Sequence, residues 1–242
     1  IRPVLVSIRY FIRPDGLELI LWRLFRWCHT DLFPRRKFFT LGFCMDKNPL
    51  VLLELVERLG NLMRAEARRA GSDEQLAPVH VEALVYLANA NRYSNTPQAL
   101  SEYLGLTKGT ISQSLLLLDR RGLIERYQDD IDRRVVRLRL SATGEQFLYD
   151  TQPQLAWIHA TREISPNRIR NAVSALRETL TTFQSDRDGS PFGKCPGCRH
   201  FERLSARAYR CGLMGDRLSG PDTRKICWLY AAKGGMVDDD DL

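Results

Sequence analysis

From Asn48 onward the apolar residues Leu52, Leu55, Val56, Leu59, Leu62 and Met63 recur at helical spacing, with Glu54, Glu57, Arg58, Arg64 and Glu66 on the other side. This pattern predicts a first long helix, broken by Gly71, Ser72 and Asp73. A second helix, residues 78–90, follows with Val81, Leu84, Val85, Leu87 and Ala88 as its buried face. His80 at its start reads as a capping or surface residue rather than a ligand. At Thr96-Pro97 a threonine can cap free backbone N–H groups, and proline at the first helical position loses no hydrogen bond. A short helix therefore runs from there through Ala99, Leu100 and Tyr103 to Leu104, and Gly105 can take the left-handed conformation that closes it. Leu106 anchors the turn. Thr107 caps a third helix whose Ile111, Leu115 and Leu118 share one face, leaving Lys108, Thr110, Ser112, Gln113 and Ser114 on a polar side. Two such helices around a tight turn are a helix-turn-helix pattern.

After Gly122 the period changes to two. Leu123-Ile124 and Arg126 lead into a polar stretch, residues 128–134, and then Val136, Leu138 and Leu140 alternate with Val135, Arg137 and Arg139. A β-hairpin with a charged tip is expected. Ser141 starts another helix through Phe147 and Leu148, which Pro153 ends. Ser165-Pro166 opens a further helix in which Ile169, Val173, Leu176, Leu180 and Phe183 recur at steps of four and three, a coiled-coil-like seam. Residues 184–193 are polar and rich in glycine and proline, and read as a linker. The fold class is thus mainly α with a small β-hairpin wing, followed by a small cysteine-rich module.

Composition narrows the class without naming a partner. Over 242 residues, 44% hydrophobic and 27% charged content describes a soluble globular protein. No apolar run reaches the roughly 18 residues of a membrane span; the nearest, residues 17–27, is interrupted by Glu18, Arg23 and Arg26. A cytoplasmic location without a membrane partner is expected. The net charge is +7 and the pI near 9.3, yet eight basic residues against three acidic ones fall within residues 1–44. Met45 is the first methionine, and irregular basic-aromatic text gives way there to regular helical pattern. Met45 accordingly reads as the true start, with residues 1–44 an upstream translation or a poorly ordered extension. The competing reading is an amphipathic arm over residues 17–27 that packs on the body or meets a membrane surface. Residues 234–242 read as an acidic tail.

The text SEYLGLTKGTISQSLLLLDRRGLIER, followed by DDIDRRVVRLRLSATGEQFL, resembles the MarR family of winged-helix regulators over residues 48–184. The resemblance implies a homodimer held by its terminal helices, one recognition helix per protomer in the major groove of duplex DNA, and a wing reaching toward the minor groove. It also implies acidic wing residues, here Asp129, Asp130 and Asp132, that orient arginines. The residues themselves agree. Thr107, Lys108, Thr110, Ser112 and Gln113 bring hydrogen-bond donors to phosphates and base edges, and Gln113 can contact adenine in bidentate fashion. Gly109 permits close approach to a sugar-phosphate backbone. Arg133 and Arg134 at the hairpin tip suit a narrow minor groove, whose negative potential attracts arginine.

Cys195 and Cys198 form a CPGC turn, and Cys211 and Cys227 follow after 12 and 15 intervening residues. The remaining pair, Cys28 and Cys44, falls in the N-terminal extension. Four clustered thiols read as one metal centre, either tetrahedral zinc or an iron-sulfur cluster. The wide separation of Cys211 from Cys227 is unlike the close pairs of a zinc ribbon and leans toward a cluster. Phe201, Leu204, Tyr209, Leu213, Leu218, Ile226, Trp228 and Tyr230 are expected to pack around the ion, because so small a module needs a staple.

The organisation read from sequence is therefore an extension (1–44), a DNA-binding and dimerisation domain (45–184), a metal-binding module (194–233) and a tail (234–242). The function expected is a transcription regulator, not an enzyme, modulated or stabilised by the metal. No Ser-His-Asp set, glycine-rich phosphate loop or carboxylate pair occurs, and the four histidines, His29, His80, His159 and His200, are scattered. The alternatives are a redox or electron-transfer protein, or a protein-interaction module, using the cysteines. Operator and effector are not written in the pattern.

Overall fold

The amphipathic run beginning at Asn48 folds as helix α1 (Asn48–Ala70), yet its apolar stripe finds no cover among the described residues. Leu55, Leu59, Leu62 and Met63 are exposed, and Ala67 is the buried residue of the helix. The structure, a computed structural model, describes residues 48–185 and 191–233. The expectations for residues 1–44, for Met45 and for the tail 234–242 lie outside the described residues. The chain divides after residue 50 into two units, and of the first only the opening turn of α1 is described.

Helix α2 (Pro78–Asn89) buries Val81, Ala83, Leu84, Tyr86 and Leu87. The sequence expectation had placed Ala88 in this set, but Ala88 is exposed and Val85 only half-buried. Tyr86, which the pattern left out, is buried as well, its hydroxyl donating to the Ser94 carbonyl at 2.8 Å. His80 Nδ1 accepts from the backbone N–H of Ala77 at 3.0 Å, the capping role expected of it. Helix α3 (Pro97–Leu104) is capped by the Thr96 hydroxyl, which accepts from Ala99 N–H at 3.2 Å, and closed by Gly105 at φ +64°. Helix α4 (Lys108–Arg120) starts at Thr107, whose hydroxyl accepts from Thr110 N–H at 3.2 Å.

Leu84, Leu100, Ile111, Leu115, Leu118, Ile124 and Leu138 form a common core with Phe147. Each such side chain contributes about 1.5–3 kcal/mol on burial, so this part needs no ligand to hold together. Strands β1 (Ile124–Gln128) and β2 (Val136–Leu140) pair antiparallel with Ile124 opposite Leu140 and Gln128 opposite Val136. Of the three expected inward residues of β2, Leu138 is fully buried, Leu140 partly, and Val136 exposed. Helix α5 (Ala142–Thr151) is capped by Ser141, which accepts from Gly144 N–H at 3.0 Å. A Cβ on Gly144 would stand 2.1 Å from the Leu123 carbonyl oxygen, so only glycine lets this helix approach so closely. Helices α6 (Leu155–Thr161) and α7 (Pro166–Ser185) complete the helical part.

The expected linker is shorter than residues 184–193. Phe192 sets its ring edge-on to Tyr103 at 5.1 Å, and Gly193 exchanges backbone hydrogen bonds with Cys227 at 3.2 and 2.7 Å. Beyond it lie a 3₁₀ turn (Cys195–Gly197), a meander of β3 (Phe201–Arg203), β4 (Tyr209–Cys211) and β5 (Arg217–Leu218), and the single-turn helix α8 (Gly220–Thr223). Among the described residues no helix is long and apolar enough to cross a membrane.

Candidate functional site

The first turns of α4 present Lys108, Thr110, Ser112 and Gln113 to solvent, because Ile111, Leu115 and Leu118 are locked in the core on the opposite face. Thr107 is also exposed, but its oxygen caps the helix and lies 2.9 Å from that of Thr110, so the two hydroxyls are engaged with each other. Ser114 leaves the polar face: it is buried and donates to the Thr110 carbonyl at 2.9 Å, the usual way a serine satisfies itself inside a helix. A Cβ on Gly109 would meet only the Thr107 hydroxyl, at 3.8 Å, so the backbone there is open outward. Thr110 and Gln113 also border an open groove of about 560 Å³ shared with His80, Arg120 and Arg121.

At the wing, Arg133 and Arg134 are both exposed. Arg134 Nε and Nη2 grip the two carboxylate oxygens of Asp132 at 3.0 Å each, which lowers the Asp132 pKa. Asp129 accepts from the backbone N–H groups of Asp132 and Ile131 and from Arg137 Nε at 2.7 Å, and these bonds hold its carboxyl at about 2. Asp129 and Asp132 are therefore internal fasteners of the tip, whereas Asp130 is exposed. Arg137, read in sequence as an ordinary outward strand residue, is shielded together with Asp129, their side chains 17% and 18% exposed.

The four cysteines of the C-terminal region come together. Cys195, Cys198 and Cys227 are buried and Cys211 half-buried, all are free of disulfides, and with Tyr93, His200, Phe201 and Leu218 they line a cavity of about 20 Å³. Burial, reinforced by Cys227, Cys198 and Cys211, pushes the Cys195 thiol up to about 12. Burial also raises the Cys227 thiol, opposed by hydrogen bonds from the Asn91 side chain and the Leu229 backbone. Among the described residues the side chains do not close into a group of three or more at ligating geometry. Leu204 and Leu213, expected in the small core, are exposed, and Ile226 packs on the winged-helix core instead.

One segment that sequence reasoning passed over connects these parts: residues 91–95, between α2 and α3. Toward the cysteines, Asn91 N–H donates to the Ile226 carbonyl at 2.9 Å, Tyr93 O–H to Asp216 at 2.7 Å, and the Ser94 hydroxyl accepts from Trp228 N–H at 2.7 Å. Toward the wing, Asn95 accepts from Leu138 N–H at 2.8 Å and donates to its carbonyl at 3.0 Å, while Arg137 Nη1 donates to the Arg92 carbonyl at 2.7 Å. Trp228 Nε1 adds a bond to Glu102 on α3 at 2.7 Å. In the sequence this stretch is only a short polar loop, without period or motif.

Capped α3, the turn at Gly105, α4 and the β1–β2 hairpin together define a winged helix-turn-helix. Residues 74–135, which include most of it, match the model of the MarR family. The transcriptional repressor MprA of Escherichia coli strain K12 is 29% identical over 158 residues, 65% of this chain and 74% of that protein. Among solved structures, transcriptional regulator PA3341 aligns with a TM-score of 0.50 at 21% identity, covering 55% of this chain and 98% of its own. A MarR transcriptional regulator from Methanosarcina mazei Go1 aligns with a TM-score of 0.48 at 17% identity, covering 57% and 99%. These relatives are transcriptional regulators, not enzymes. The alignment with PA3341 extends the agreement to the fold.

Proposed function

We propose that this protein is a MarR-family transcription regulator that binds operator duplex DNA as a homodimer. The observation that carries the reading is the exposed row Lys108, Thr110, Ser112 and Gln113 on a core-locked α4, beside a wing whose tip offers Arg133 and Arg134. Such a helix reads base edges in the major groove, while phosphate contacts fix its register. The exposed apolar stripes of α1 and of α7, the latter at Leu176 and Leu180, which find no cover among the described residues, support a second copy as their cover. Selection of binding sites from random duplexes tests the reading: a palindromic consensus, its half-sites about one helical turn apart, supports it, and absence of enrichment overturns it.

The cysteine pocket is read as a metal centre with Cys195, Cys198, Cys211 and Cys227 as ligands. Reduced thiols around one small cavity are the donor set of a structural zinc site. A volume near that of a single water supports one ion, so the pocket favours zinc where the cysteine spacing leaned toward a cluster. The hydrogen bonds of residues 91–95 support modulation as well as stabilisation, since the segment that packs on the cysteines also fastens the root of the wing.

A further inference from the structure

The cysteine region carries a surface that neither the metal nor the winged helix uses. Residues 191–233 hold nine Lys and Arg against three Asp and Glu. The segment stays cationic even after four thiolates and a divalent ion add a net two negative charges. Among the described residues Arg199, Arg203, Arg207, Arg217 and Arg224 have no carboxylate within ion-pair distance.

The sheet concentrates this charge. Its pairing sets Glu202 opposite Arg210 and Arg210 opposite Arg217, so one face shows a row of three exposed charged residues with a single carboxylate, 3.9 Å from Arg210. Like charges directly across a strand pair are unfavourable, and a row of this kind is relieved by an anionic partner. The row is also fixed in place: Arg92 Nη2 donates to the Arg217 carbonyl at 2.9 Å and stands 3.7 Å from Asp222. The Arg92 carbonyl in turn receives the wing residue Arg137 at 2.7 Å. Arg217 is thus two hydrogen bonds from β2.

We infer that the arginine face of β4–β5, centred on Arg210 and Arg217, is a second DNA-contacting surface that grips phosphates outside the operator half-site, beyond the wing. The inference rests on the DNA-binding reading above. Duplex DNA is the partner the charge favours, because residues 191–233 are strongly cationic and Arg217 is tied through Arg92 to Arg137 of the wing strand. It makes the cysteine region part of the binding platform, and a metal that orders the region then strengthens binding through added phosphate contacts.

The experiment uses the full chain and two duplexes carrying the same selected site, one ending at the outer minor groove and one extended by about ten base pairs on each side. Binding is measured by fluorescence anisotropy across a salt series. Extension is expected to tighten binding about tenfold and to steepen the log affinity against log salt slope by about two per protomer, near one unit per neutralised phosphate. R210S/R217S should lose that gain while binding the short duplex like the parent. Equal affinity and slope of the parent on both duplexes overturns the inference without any variant, and full retention of the gain by R210S/R217S overturns the assignment to this face. If the parent binds neither duplex, the DNA-binding reading fails and the inference falls with it.

Discussion

The guanidinium of Arg137 on β2 donates to the backbone carbonyl of Arg92 at 2.7 Å and lies 3.3 Å from Asn95 Oδ1, while its Nε is held by Asp129. One side chain therefore joins the wing, the turn before its tip and the loop leading into the helix-turn-helix. Arg137→Ala should weaken operator binding about tenfold, the worth of one charge-assisted hydrogen bond, with faster hydrogen exchange at amides 129–135. Unchanged affinity and unchanged exchange would remove Arg137 from this role.

The turn it supports should be sensitive to acid. The Asp129 carboxyl is held at about 2 in the fold, below the roughly 3.9 of an unfolded chain. A depressed pKa means its contribution to wing order is complete above about pH 4 and fades as pH falls through about 2. Exchange rates, corrected for intrinsic pH dependence, should show wing protection declining over that window. Asp129→Asn should start less protected and lose this part of the pH dependence; an equally steep decline would assign it to another group.

Gln113 and Gly109 separate reading from approach. Gln113→Ala should cost about 1–3 kcal/mol on the preferred site and relax selectivity at one base pair. Gly109→Ala should raise thermal stability slightly, by about 0.5 kcal/mol, since the site has room and alanine suits a helix. The same change should weaken operator binding if the open backbone meets DNA. A variant both more stable and equally tight would show that this turn faces away from the duplex.

Leu176 and Leu180 are 44% and 53% exposed on α7 within one chain. Aspartate at both should leave the monomer fold intact, because neither is in the core, but abolish pairing and with it tight operator binding. Light scattering that still reports a dimer would place the seam elsewhere.

Metal content is checked on anaerobically purified protein. One zinc per chain is expected, and replacing Cys195, Cys198, Cys211 and Cys227 by serine should expose residues 191–233 to protease. Because Asn91, Tyr93 and Ser94 bond to that region, operator affinity should fall as well. Brown protein with iron and sulfide would replace zinc by a cluster. Undiminished protease protection, with neither metal present, would end the metal reading.

Much of the winged helix was legible because its signals are local. Thr96-Pro97, Gly105, Thr107 and Ser141 act within one helical turn of themselves, and each occupies the cap or closure that its chemistry dictates. The polar row of α4 followed from a period fixed by Ile111, Leu115 and Leu118. The four cysteines announced themselves by spacing. What depended on distant partners was not legible. Ser114 turned inward, Tyr86 entered the core with its hydroxyl on the Ser94 carbonyl, and Phe192 left the linker for the Tyr103 ring. The polar residues of the loop at 91–95 acquired their meaning only when folding brought Ile226, Trp228 and Leu138 to either side of it. Local caps and periods are properties of a few neighbouring residues, whereas a hydrogen bond across 134 residues exists only once the chain between its ends has been placed.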